Sequence, residues 1–207
     1  VGRLAVTIHA AASLDDALTR AAHTLLGTLG ADGVSVLCRS IQDDEERAWC
    51  WERSNDGSVV PVDVTACALA SRAREALEKG TDGDDASLIL STFTARDGID
   101  GVLAIRFRSP EADSDARALV EAVSVHVGIA VGASTLLKAV TSAKQVWEGT
   151  FDSLPDGVVV IDSAFAIVRS NHAFARLLKS QNKGLVGLPL TRLLSDATGA
   201  AIRDAVA

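Results

Sequence analysis

Glu111 to Thr150 holds no proline and is rich in helix-forming residues, and it constrains this chain more than any other feature. A proline inside a helix removes a hydrogen bond and clashes with the preceding turn, so nothing here prevents one unbroken helix. At 1.5 Å per residue it would be a rod of roughly 60 Å. Its residues step by fours and threes along one face: Leu119, Val123, His126, Ala130, Ala133, Leu137, Val140, Lys144, Trp147, Phe151 and Leu154. That is a heptad-like seam, weakened by polar His126 and Lys144 and by Gly128 and Gly132. One reading is a terminal helix of the first domain followed by a separate short helix. The other is a continuous rod that pairs with a second copy in a parallel homodimer. No turn signal interrupts the stretch, which favours the rod. On that reading Leu137→Glu places a charge in the seam and weakens dimerisation.

Helix and strand signals alternate ahead of the rod. Residues 4–30 read as two helical pieces divided at Ser13, where Ser13-Leu14-Asp15-Asp16 forms a capping signal with acid in the first turn. Leu14, Leu18, Ala21, Ala22, Leu25 and Leu29 keep a 3.6-residue stripe, and Gly30 closes it. "GVSVLCRS" then puts Val34, Val36 and Cys38 on one face of a strand and Leu37 on the other, so both faces are at least partly buried. "AWCWERS" sets Trp49 and Trp51 on a common face, and Asn55-Asp56-Gly57 is a hairpin signal leading into "SVVPVDV". Pro61 confines that last strand to an edge, a bulge or a short length. "TACALASRAREALEKG" is a helix with Thr65 as its cap and Gly80 as its stop, followed by a polar loop, "TDGDDAS". "LILSTFTAR" and "GVLAIRFRS" flank a second hairpin signal at Asp97-Gly98. Strands joined by tight turns indicate an antiparallel sheet and an α+β domain.

A second unit opens at Phe151. Strand "GVVVID", turn "SAF", strand "AIVRSN" and helix "HAFARLLKS" lead to "LVGLPLTRLLS" and a final helical start, "TGAAIRDAVA". Two strands alone make a marginal sheet, so the partner strands are expected beyond Ala207 or from another chain. The chain contains no methionine, which points to a piece of something longer.

Composition excludes several classes of function. A net charge of −7 with no Lys/Arg cluster argues against a nucleic-acid surface. Cys38, Cys50 and Cys67 are odd in number and form no CxxC pair, which suits a reducing cytoplasm. No run approaches the roughly 18 apolar residues of a membrane helix, and no signal peptide opens the chain. Phosphate-binding glycine loops, HExxH and GxSxG are absent, and His9, His23, His126 and His172 lie far apart. The acids Asp43, Asp44, Glu45 and Glu46 lack the spacing of a calcium loop and read as a solvated turn, as do Asp82, Asp84 and Asp85.

Trp49 and Trp51 would suit stacking on a flat ligand, although filling core is the commoner use of such a pair. Cys67 near a helix start is either an activated thiolate or a small buried residue, with burial the commoner case. His172 opens a helix and has neither a visible partner nor a pocket for base catalysis, so a structural role is expected.

Leu4 to Val140 resembles a GAF domain. The resemblance is carried by "SLDDALTRAAHTLLGTLGADGVSVLCRS", the helix inserted after "VPVDV", the return strand "GIDGVLAIRF" and the closing helix "ARALVEAVSVHVGIAVGASTLL". "WEGTFDSLPDGVVVID", "AIVRSNHAFARLL" and "LVGLPLTRLLS" resemble the start of a PAS domain. The resemblance implies a GAF-like sensor domain over residues 1–135, a signalling and dimerisation helix over 111–150, and the N-terminal part of a PAS-like domain over 151–207. It implies a six-stranded antiparallel GAF sheet flanked by helices, and an incomplete five-stranded PAS sheet. A GAF pocket would draw on Trp49, Trp51, Cys67 and Phe93, and its small-molecule ligand stays open. The bilin-attaching cysteine motif and the NKFDE signature are missing, and a haem or flavin residue would usually lie in the missing half, so no cofactor is assigned. Such arrays imply the cytoplasmic input region of a bacterial signalling protein, most often a sensor histidine kinase. The rival outputs are a diguanylate cyclase, a serine phosphatase or a transcriptional activator. A GAF-fold enzyme using Cys50 or Cys67 is the rival from another class.

Overall fold

The computed structural model describes residues 8, 11–40, 45–79, 87–95, 98–108, 114–178 and 184–193. The chain divides into two compact units, Val1–Leu137 and Lys138–Ala207.

In the first unit, helix α1 (Leu14–Leu29) begins where the Ser13 hydroxyl accepts the Asp16 N–H at 3.1 Å, and ends at Gly30 in the left-handed region (φ 65°). Strand β1 (Gly33–Ser40) follows, then β2 (Glu46–Arg53) and the three-residue β3 (Val59–Pro61), which stays on the sheet edge as Pro61 requires. The Asp63 carboxylate accepts the Thr65 N–H at 2.9 Å and opens a 3-10 turn, Val64–Ala66. Helix α2 therefore starts later than expected, at Ala68, and runs to Lys79; Asp63 caps the 3-10 turn before it, in which Thr65 lies. Strands β4 (Leu88–Ala95) and β5 (Ile99–Arg106) complete an antiparallel sheet in the order β3-β2-β1-β5-β4. The described residues thus form five strands where the resemblance implied six.

Both faces of this sheet are buried, as the β1 pattern foretold. Val34, Val36, Cys38, Leu103 and Ile105 face α1 and the first part of helix α3 (Ser114–Ser153). Leu37, Leu90, Val102 and Ala104 face α2, whose Ala70, Ala73 and Ala76 present small side chains to the sheet.

The proline-free stretch is one helix, α3, as the absence of a turn signal indicated. Its inward stripe is Ala116, Val120, Val123, Val127 and Val131. This corrects the expected seam. Val123 is fully buried in its own domain, and Leu119, His126 and Ala130 are half-buried. Ala133, Leu137, Val140, Lys144 and Trp147 are exposed. The seam fails as a unit because the sheet takes one face of the helix first. By length and composition α3 would also be long and apolar enough to cross a membrane, which the sequence reading did not expect. Its valine stripe on the sheet is one source of that apolar character.

In the second unit, residues 138–153 of α3 lead to strands β6 (Val159–Ile161) and β7 (Ile167–Ser170), paired antiparallel, and to helix α4 (His172–Leu177). Asp162 turns the hairpin by accepting the Ala164 and Ala166 N–H groups, each at 2.9 Å. Ile167, Ala175, Leu185 and Leu190 form a small cluster. The helical piece expected within 4–12 falls mostly outside the described residues, as do Gly80, the acids 82–85 and the helical start at 198–207.

Candidate functional site

The four expected pocket residues do not meet around one cavity. Trp51 and Phe93 are buried in the core under α1 and α3, with Trp49 packed at its margin and its indole N–H donated to Asp15 at 2.8 Å. Cys67 lies on the opposite face of the sheet, among the residues under α2. The 3-10 turn carries it there before the helix starts, so it is buried rather than displayed as a reactive thiolate.

The interior thiols are chemically quiet. Burial pushes the Cys38 thiol up to about 11. Burial, with the neighbouring Cys67, pushes Cys50 up to about 12, and its sulfur sits 3.4 Å from the Ser35 hydroxyl. Thiols of this kind are neutral at physiological pH and make poor nucleophiles.

A groove of about 730 Å³ opens instead on the outer flank of α3. Its walls are Thr92–Ala95 of β4 and Val125, Gly128, Ile129, Gly132, Ala133 and Leu136 of α3. Gly101 and Gly128 make room for Phe93: a Cβ on Gly101 would lie 2.3 Å from the ring, and one on Gly128 3.1 Å. The buried Ser91 hydroxyl donates to Ser124 at 2.9 Å, tying β4 to α3 beside it. Of the expected pocket residues only Phe93 lines this groove. Ala133 belonged to the expected seam, but Val125, Ile129 and Leu136 were missed because the repeat was traced one residue out of phase.

The second unit is held by a polar knot. Fully buried Asn171 caps α4 through its Oδ1, which accepts the Phe174 and Val158 N–H groups at 2.9 Å each; its Nδ2 donates to the Asp156 carbonyl at 2.8 Å. The Arg169 guanidinium lies 4.3 Å from the Trp147 ring centroid and bonds Glu148 at 3.1 Å. Trp147 in turn stacks on Phe151 with centroids 5.3 Å apart. His172 opens α4, with its backbone N–H 3.3 Å from the Asp152 carboxylate. Asn171 before it does the capping. Among the described residues no group of three or more His, Cys, Asp or Glu is placed to hold a metal.

A PAS domain family matches residues 145–204. Among solved structures, the chain is similar to the GAF domain of a phosphoenolpyruvate-protein phosphotransferase from Coxiella burnetii, with 13% identity and a TM-score of 0.51 over 67% of this chain and 94% of that one. It is also similar to the GAF domain of an Acinetobacter phosphoenolpyruvate-protein phosphotransferase, with 12% identity and a TM-score of 0.49 over 68% and 94%. No curated protein matches the chain. The Coxiella likeness shows a GAF fold; at that identity it shows the fold alone. A GAF fold followed by a PAS match is an arrangement of sensory domains and points to a signalling role.

Proposed function

We propose that this chain is the sensory and dimerisation region of a bacterial, cytoplasmic signal-transduction protein, with a sensor histidine kinase as its parent. A change of ligand or state in the GAF unit biases two packings of α3, and the helix passes that bias to the PAS unit and on to an output domain. A ligand shifts such an equilibrium only by its differential affinity for the two packings.

One observation carries this reading. The same unbroken helix is built into a GAF core through Val120, Val123, Val127 and Val131, and its last turns are held within the second unit through Trp147, Glu148 and Phe151. Such a helix belongs to both units, which is what a relay between them needs. The rival enzyme reading uses Cys50 or Cys67; both are buried, and burial pushes the Cys50 thiol up to about 12, which argues against it.

The kinase assignment is tested on the parent chain with radiolabelled ATP. Acid-labile, base-stable labelling of a histidine is expected. Formation of a cyclic dinucleotide from GTP, or phosphatase activity, would move the output to one of the rivals. The relay is tested by removing residues from the exposed part of α3. Losing seven residues keeps the helical phase and should preserve the response, whereas losing four should lock or invert it.

A further inference from the structure

Building on the homodimer of that reading, we infer that the second copy packs along Val125, Ile129 and Leu136 of α3 and seats its own α3 in the groove beside β4. The expected Leu119–Trp147 seam is not the interface.

The rotation of α3 on the sheet decides this. Val120, Val123, Val127 and Val131 point into the core, the Ser91–Ser124 bond ties the helix to β4, and Gly128 rests on the Phe93 ring. With that face committed, Val125, Ile129 and Leu136 turn outward, 59%, 52% and 51% exposed. An apolar row with no cover among the described residues loses free energy to water until something covers it.

The spacing of the row says what the cover is. Steps of four, three and four from Val125 to Leu136 continue in the sequence to Ala139, Ala143 and Val146. Those are seven successive core positions of a heptad repeat, all apolar or glycine and none charged. A row of this kind is complementary to itself. Under a two-fold axis each copy's Ile129 and Leu136 meet their equivalents, and no charge is buried. The expected seam would bury Lys144 against Lys144. The groove of about 730 Å³ between the row and β4 gives the incoming side chains space.

Adjacent residues on α3 separate the two interfaces. Leu136 is in the row, and Leu137, 68% exposed, points about 100° away. Both are at the surface, so neither Leu136→Glu nor Leu137→Glu should alter the circular dichroism of the folded chain. Light scattering and sedimentation at tens of micromolar should show a dimer for the unaltered chain. Leu136→Glu and Ile129→Glu should each raise the dimer dissociation constant about 100-fold, and Leu137→Glu less than about threefold. A dimer broken by Leu137→Glu and not by Leu136→Glu keeps the dimerisation reading and overturns this row. So does a dimer that survives both changes or is broken equally by both. A monomeric unaltered chain removes the dimer itself, and this interface with it.

Discussion

The two sheets of this molecule reach order by different routes. In the first unit β1 and β5 are buried on both faces, with Leu103 and Ile105 under α1 and α3 and Val102 and Ala104 under α2. In the second unit β6 and β7 form a two-stranded ribbon with Val160 and Val168 exposed and a small apolar cluster around Ile167. Apolar area is plentiful in one and scarce in the other, and the scarce one relies on specific polar ties instead. Burial is non-directional and tolerates modest change of shape. Hydrogen-bond ties to a buried side chain are directional, and losing one partner strands the rest. The first unit should therefore fail by losing volume, the second by losing a single polar side chain.

Leu103→Ala offers the strongest test. The residue is fully buried on a central strand, so truncation should cost the first unit about 3–4 kcal/mol through lost burial and the cavity left behind. Hydrogen exchange of the β1 and β5 amides should speed up accordingly. A cost below about 1 kcal/mol would mean that the core collapses onto the gap and is less tightly packed than the comparison requires.

Asn171→Ala should come next, at about 2–3 kcal/mol, because it leaves the Val158 and Phe174 N–H groups and the Asp156 carbonyl without their partner. Asn171→Asp retains the acceptor and loses the donor, so it should cost less. Exchange at the Val158 and Phe174 amides reports the loss directly; unchanged protection there in Asn171→Ala would break the claim that polar ties organise this unit.

Arg169→Ala should have a smaller effect, about 1 kcal/mol, since half-exposed Trp147 and Glu148 regain water when the guanidinium leaves. Arg169→Lys keeps the charge and loses the flat stacking surface, and should fall between the two. The emission of Trp147, isolated in a background with Trp49 and Trp51 replaced by phenylalanine, measures whether the ring is released.

Much of the first unit was legible because local signals and burial agreed there. Ser13 and Gly30 bound α1 by local capping chemistry, and the alternation at Val34, Val36 and Leu37 placed β1 between two layers. The face of α3 was not legible. Apolar residues line more than one side of it, and sequence spacing cannot rank Val123 against Val125 until the sheet selects one. Cys67 is buried, the commoner case expected for it, but on the α2 side of the sheet and not with Trp51 and Phe93. Phe93 lines the groove, and its room comes from Gly101 and Gly128, distant in sequence and adjacent only after folding. The role of Asn171 in tying Asp156 and Val158 to α4 was not legible, because its three partners lie on either side of a hairpin.

The smallest expected effect tests whether directional ties matter in the first unit as well. Glu46 on β2 receives Arg74 from α2, with Nε at 2.9 Å, and Arg39 from β1 at 3.0 Å. The Arg74 hydrogen bond chiefly holds its carboxyl below the usual glutamate range. A lowered folded pKa contributes stability above the unfolded value, about 4.3, and that contribution disappears as the pH falls through the folded value. The pair is partly solvated, so its worth is below about 1 kcal/mol. Glu46→Gln should thus lower stability slightly at pH 7 and leave it unchanged below the folded pKa, making the urea midpoint less steep between those limits. If the substitution instead cost as much as Asn171→Ala, the contrast between a unit held by burial and a unit held by polar ties would fail, because β2 and α2 would then depend on one side chain too.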